Sequence, residues 1–401
     1  MKLNLNRIVF AWLVSLTVFL VSCRDEEVAP INESLVSSES ILIRYASELQ
    51  TFIGASGIAI PLTELKYDVE LYRITYKTQY LNNQQVTASG LVVLPKKNGS
   101  YPMVSFQHGT IAANSQAPSV IPLSSTELIL YTALSSPGFI TAVPDFIGFG
   151  SSSTVMHPYF VQDLTASSVI DMLKAASELA REKGITFNRK LFLAGYSQGG
   201  YATMATHKAI EKDGLDGFDL IASFPSSGGY DVKGMQEYFF SLDTYDEPFF
   251  LGYVAMAYRT SYSWTAPLSD FFQEPYATLI PTLYDGSKSG SEIDAQLTTN
   301  IKDLVNSDLI DGIDTDTKYK YIVDAFNLNS LTDWVPTKKM YMFHGDIDIT
   351  VPYNNSIDTY NKLIANGASK SIVTFTALPG THGTAVVPYI EAFIPKMLDL
   401  R

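Results

Sequence analysis

Leu191-Phe192-Leu193-Ala194-Gly195-Tyr196-Ser197-Gln198-Gly199-Gly200 decides the reading of this chain, because an apolar run of strand character stops there at a serine fenced by glycines. A strand that ends in Gly-x-Ser-x-Gly and passes straight into a helix holds its serine on a sharp, strained turn. The residues two before and two after must lack side chains for the backbones to approach, and Gly195 and Gly199 fill those slots. The helix predicted over residues 198–212 points its first amides back at Ser197. The N–H of Gln198 is thereby aimed at negative charge developing on an attacked carbonyl oxygen. In a chain rich in Gly and Ser a bare copy of the pattern arises by accident, mostly in loops; the strand-then-helix context sets this one apart.

Outward from that turn the pattern is one of layers. Residues 69–75 alternate as a strand, Asn82-Asn83 supplies a turn, and residues 86–94 return as its hairpin partner. Strands are then predicted at residues 101–107, 139–143, 190–194 and 220–224, with helices at 127–134 and 161–183. The longer helix carries Ala166, Val169, Ile170, Leu173, Ala176 and Ala180 on one face and Gly184 as its stop. Antiparallel strands first and strand-helix alternation after describe an α/β protein with a mostly parallel central sheet flanked by helices. The alternation breaks over residues 226–335, a stretch rich in Tyr, Phe and Trp that includes Tyr238-Phe239-Phe240. A segment this long must fold on itself, so it reads as an inserted helical cap. Most of its aromatics are expected to pack the cap onto the core and a minority to line a pocket. Strands resume at 338–343 and 371–378, and a helix over 385–398 closes the chain.

Composition sets limits on function. The 401 residues are 46% hydrophobic and 17% charged, enough for a large core, and the formal net charge is −13. That charge repels phosphate backbones and excludes nucleic acid as a partner; a neutral substrate fits better. Neither a metal-spaced His/Cys cluster nor a cofactor motif occurs, so no metal and no cofactor is expected.

Residues 1–22 read as an export signal, with Lys2 and Arg7 ahead of an apolar run too short for a comfortable membrane span. The ending Leu20-Val21-Ser22-Cys23 resembles the lipobox of bacterial lipoproteins, in which the cysteine is diacylated and the signal is cut before it. Cys23 is the chain's single cysteine, so it cannot form an internal disulfide, and lipidation explains its position. The acidic, Ser-rich residues 23–45 read as a lipidated tether. The lipobox resemblance implies an exported protein of the bacterial cell envelope, held at a membrane through Cys23; the acid just after the cysteine, Asp25-Glu26-Glu27, resembles the surface-export signal of some Gram-negative lipoproteins, which implies the outer membrane or cell surface. The remaining boundaries are a core of residues 46–225 and 336–401 and the cap over 226–335.

A serine alone is a poor nucleophile and needs a base and an orienting acid. Of the five histidines, His207 lies inside the helix after the serine, His108 and His157 precede it, and His344 ends a strand. His382, in Gly380-Thr381-His382-Gly383, sits on a loop at the same sheet edge as Ser197 and is the candidate base. The loop after the strand at 338–343 offers two acids, Asp346 and Asp348, and either carboxylate could accept the second ring N–H of His382.

The order Ser197, Asp348, His382, each on a loop beyond a strand, resembles the α/β-hydrolase superfamily from about residue 67 to the end. Many of its members show His-Gly-x-x-Asp-x-x-Val-Pro at the acid. His344-Gly345, Asp348 and Val351-Pro352 match that spacing, and the match implies Asp348. Gln107-His108-Gly109-Thr110 looks like the first oxyanion loop, which implies that the N–H of Thr110, or in second place that of Gly109, pairs with that of Gln198. Pro144-Asp145-Phe146-Ile147-Gly148-Phe149-Gly150, His157-Pro158-Tyr159, the elbow and the long cap together resemble the secretory lipase family. Asp145 and His157 then shape the wall of the site. The resemblance implies a serine esterase or lipase that acts on a small-molecule or lipid-like ester through an acyl-enzyme. A capped serine peptidase of the same superfamily is the second reading, and a ligand-binding lipoprotein on an inactive hydrolase fold the third.

Overall fold

The computed structural model describes residues 32–401, so the expected signal at residues 1–22 and the candidate lipidation site Cys23 lie outside the described residues. The first element corrects the sequence reading. Residues 35–44, read as tether, form strand β1 (Leu35–Arg44), antiparallel to β2 (Val69–Gln79). Most β1 side chains are exposed, so the apolar alternation that announces a strand is missing and backbone pairing carries the element. Ser37 Oγ lies 2.6 Å from Thr75 Oγ1, Arg73 pairs with Glu39 at 3.0 Å, and the Glu178 carboxylate accepts the N–H of Leu35 at 2.6 Å. Helix α1 (Ala46–Ser56) follows.

The β2–β3 hairpin, with β3 spanning Gln85–Pro95, turns through Asn82 and Asn83, both at positive φ, which asparagine tolerates better than other side chains. The chain then runs β4 (Ser100–Gln107), α2 (Thr126–Ser135), β5 (Ile140–Pro144), α3 (Gln162–Glu182), β6 (Thr186–Tyr196), α4 (Gln198–Asp213) and β7 (Asp219–Ser226). Helices occupy the long insertion: α5 (Val232–Ser241), α6 (Phe249–Ser261), the short α7 (Tyr276–Leu279), α8 (Gly290–Asp294), α9 (Ile301–Leu304) and α10 (Ser307–Gly312), and α11 (Lys320–Asn329). The sheet resumes with β8 (Lys339–Gly345), α12 (Tyr353–Ala365), β9 (Val373–Leu378) and the closing helix α13 (Val386–Leu400).

The nine strands form one sheet in the order β1-β2-β3-β5-β4-β6-β7-β8-β9. β1, β2, β3 and β5 pair antiparallel in turn; from β5 through β4 to β9 every pair is parallel. The apolar run of β6 is explained by its place near the middle of that parallel part. Phe192 and Ala194 pack on one face with α2 and α13, while Leu191 and Leu193 pack on the other against Met172, Leu173 and Ala176 of α3. The predicted α3 stripe is buried as expected apart from Ile170, which is half-buried, and Gly184 takes a φ of 72° where the helix stops. This sandwich holds the C-terminal ends of β6, β8 and β9 at a single edge of the sheet.

Candidate active site

The end of β6 shows why the serine needs its glycines. Ser197 has φ 59° and ψ −125°, a backbone state that side-chain-bearing residues avoid. A Cβ on Gly195 would lie 2.2 Å from the Gly199 carbonyl oxygen, and one on Gly199 would lie 1.9 Å from the Gln107 carbonyl oxygen. From behind, Tyr389 of α13 accepts the N–H of Gly195 at 2.9 Å and donates to the Phe224 carbonyl at 2.7 Å, which ties the turn to β7.

Three segments far apart in sequence meet at Ser197. His382, on the loop between β9 and α13, has Nε2 2.9 Å from Ser197 Oγ and Nδ1 2.6 Å from Asp348 Oδ2. Asp348 is buried on the loop between β8 and α12, and its second oxygen accepts the Val351 N–H at 3.0 Å. Burial raises its carboxyl, but hydrogen bonds from His344 and His382 outweigh burial and hold it below the ordinary carboxylate range. An ionised carboxylate only accepts, so Nδ1 of His382 carries the proton and Nε2 turns its lone pair to the serine hydroxyl. Asp346 is exposed and accepts the Gly380 N–H at 3.0 Å, which joins the two loops without touching His382.

The loop of residues 108–110 runs beside the turn, since a Cβ on Gly109 would lie 3.7 Å from Ser197 Cβ. Thr110 is held by its hydroxyl, 2.8 Å from Tyr159 OH, and Tyr159 stacks on Tyr253 of the insertion at 4.5 Å between centroids. Gln198 is anchored through its side chain: Nε2 donates to His157 Nε2 at 2.6 Å, and His157 Nδ1 donates to the Ile147 carbonyl at 2.6 Å. Burial lowers His157 to about 3, so it stays neutral and able to accept that bond. The sequence reading put His157 and Asp145 in the wall of the site; neither lines the cavity at Ser197. Asp145 is fully buried, accepting from Ser89 Oγ at 2.6 Å and the Ser119 N–H at 2.8 Å, and burial raises its carboxyl. His207 bonds to Ser223 and Glu211, away from the serine. Among the described residues no group of three or more His, Cys, Asp or Glu side chains is placed to hold a metal ion.

A cavity opens from Ser197 into the insertion, with about 990 Å³ of empty space, open solvent at its mouth included. Seven of the thirteen aromatics between residues 238 and 276 line it, Phe239, Phe240, Tyr245, Phe250, Trp264, Phe271 and Phe272, a larger share than the expected minority. Tyr238 is not among them: its hydroxyl donates to the Ile349 carbonyl at 2.9 Å, and that of Tyr245 to Thr350 at 3.0 Å, so the insertion clasps the loop that carries Asp348. One polar side chain in the cavity wall was given no weight in the sequence reading. Gln236, on the otherwise apolar cavity-facing side of α5, is buried, and among the described residues its Oε1 has no hydrogen-bond partner, an arrangement that costs about 1–3 kcal/mol.

Residues 115–212, which include Ser197 and Gln198, match the model of the family described as Secretory lipase. A putative hydrolase from Legionella pneumophila aligns with a TM-score of 0.80 at 28% identity over 92% of this chain and 98% of its own. The chain has the α/β-hydrolase fold. The rice cell wall degrading esterase LipA from Xanthomonas oryzae shares it with a TM-score of 0.78 at 23% identity, over 93% of this chain and 100% of its own. Candida antarctica lipase A does so with 0.66 at 15%, over 92% and 82%. No curated protein matches the sequence. For this α/β-hydrolase fold, the family match and the neighbours together support a hydrolase.

Proposed function

We propose that the chain is a serine carboxylic-ester hydrolase, an esterase or lipase that acts on neutral esters with an apolar acyl group. The observation that carries the reading is the hydrogen-bonded line from Asp348 through His382 to Ser197, set at the mouth of an apolar cavity. Ser197 Oγ attacks the ester carbonyl while His382 Nε2 takes its proton; Asp348 holds the ring and balances the charge that forms. The carbonyl oxygen becomes an oxyanion held by the N–H groups of Thr110 and Gln198. His382 then gives the proton to the departing alkoxide, leaving an acyl group on Ser197. Water, deprotonated by the same nitrogen, attacks that ester, and the acid leaves as Oγ recovers its proton.

The cavity supports apolar groups over peptides, because it presents almost no partners for an amide backbone. In this reading residues 226–335 act as a cap that selects the acyl group, and Cys23 is the lipidated residue that holds an exported protein at a membrane. Labelling with a fluorophosphonate tests the nucleophile. Wild type should be modified once, at Ser197, and Ser197→Ala should not react; modification elsewhere, or none at all with the chain folded, would overturn the assignment. An ester should turn over far faster than its matching amide, and the reverse would favour a peptidase.

A further inference from the structure

The cavity-facing side of α5 is built from Val232, Met235, Gln236, Phe239 and Phe240, the i, i+3, i+4, i+7, i+8 spacing of an apolar helical stripe with an amide at its centre. Gln236 is 7% exposed, and its Oε1 is buried without a partner among the described residues. Leucine or methionine there would suit both helix and cavity, and the described residues make no use of the amide oxygen. A buried acceptor kept unpaired in the wall of a cavity is a position a ligand can complete.

The half of the ester that fills this cavity follows from the base. The alcohol departs by taking a proton from His382 Nε2, and His382 does not line the cavity, whereas Ser197, which keeps the acyl group, does. We propose that Gln236 is a specificity-determining residue that accepts a hydrogen bond from a hydroxyl carried on an otherwise apolar acyl group, so that the preferred substrates are esters of hydroxylated alkyl or arylalkyl acids. This rests on the assignment of Ser197 as nucleophile and deepens it. A site that hydrogen-bonds a substrate hydroxyl discriminates strongly against the analogue lacking it, because the amide is then left unpaired.

The test uses the full chain and matched p-nitrophenyl esters: decanoate against its monohydroxy positional isomers, and 3-phenylpropanoate against its 4-hydroxyphenyl counterpart. At least one hydroxylated ester should exceed its parent in kcat/KM by about tenfold or more on wild type. Gln236→Leu should erase or invert that ratio, gain activity on the parent ester, and melt at a higher temperature. Which isomers respond separates an alkyl from an aryl skeleton. Parity between every hydroxylated ester and its parent on wild type, or equal changes for both in Gln236→Leu, overturns the proposal. Binding to Ser197→Ala is measured alongside, where the hydroxylated ester should bind more tightly than its parent and lose that advantage with Gln236→Leu added. A wrong nucleophile assignment would show instead as unchanged turnover in Ser197→Ala, while the binding comparison still decides the role of Gln236.

Discussion

Nε2 of His344 stands 3.1 Å from Asp348 Oδ2, the same oxygen that receives His382 Nδ1 at 2.6 Å. His344 also reaches the Val351 carbonyl at 2.9 Å and Ser356 Oγ at 2.6 Å, so it is fixed from three sides and in turn fixes the carboxylate. A single oxygen thus serves one structural imidazole and one that faces the serine.

That arrangement sorts the two acids. Ser197→Ala and His382→Ala should each lower ester turnover by on the order of ten thousandfold or more, since members of a triad act as a unit. Asp348→Asn should cost far more than Asp346→Asn, because only Asp348 touches His382, whereas Asp346 accepts a backbone N–H on the protein surface. Steady-state kinetics on folded variants check the ranking, and the reverse order would move the orienting role to Asp346.

Acid should weaken the fold through His157. Burial lowers it to about 3, while a free histidine titrates near ~6.5. Between these values the unfolded chain binds a proton that the folded chain refuses, so stability is lost as pH falls from about 6.5 toward the folded value. His157→Gln removes that titration while keeping an acceptor for Gln198. Its melting temperature should fall less steeply than that of wild type between pH 6.5 and 4, and identical slopes in thermal melts would contradict the account.

The clasp on the acid loop gives a graded stability effect. Tyr245 is 6% exposed, and removing its hydroxyl strands the Thr350 carbonyl, so Tyr245→Phe should cost about 1 kcal/mol and slow turnover by loosening the loop that holds Asp348. Tyr238→Phe, at a more exposed bond to Ile349, should cost less. Denaturant melts order the two; equal and negligible effects would detach the insertion from the positioning of Asp348.

Cys23→Ser should yield a protein recovered from the soluble fraction rather than from membranes. On the proposed lipidation of Cys23, acyl chains supply the attachment at about 0.8 kcal/mol per buried CH₂, and a serine offers them no thiol to join. Fractionation followed by detection of the chain decides it, and membrane retention of the correctly cleaved variant would sink the idea.

The elbow was legible in sequence because backbone crowding leaves glycine as the residue that fits at positions 195 and 199, and the sheet because β6 and α3 carry unbroken apolar patterns. That Ser197 and His382 would meet an acid of the loop after β8 could be anticipated from their places beyond strand ends; the choice of Asp348 over Asp346 came from the His-Gly-x-x-Asp-x-x-Val-Pro spacing of the family resemblance. β1 could not be anticipated, since a polar edge strand lacks the alternation that buried strands show. The bonds from His157 to Gln198 and from Tyr245 to the acid loop join segments 41 and 105 residues apart and leave no local pattern. Gln236 looks like any polar residue on a helix until the cavity it faces is known.

The cavity makes the substrate range a measurable curve. Phe239 and Phe240 stand in its wall with Phe250, Phe271 and Phe272, so each methylene added to an acyl chain leaves water for hydrocarbon surface. That is worth about 0.8 kcal/mol, or roughly fourfold in kcat/KM per carbon, until the space is filled and further atoms clash. Across p-nitrophenyl esters from acetate upward, the specificity constant should therefore climb and then fall. Phe239→Ala with Phe240→Ala enlarges the wall, so the maximum should move to longer chains while the value for acetate stays nearly constant. A steep preference for acetate, unmoved by the double change, would mean that the acyl group sits outside the cavity and that the insertion plays no part in choosing it.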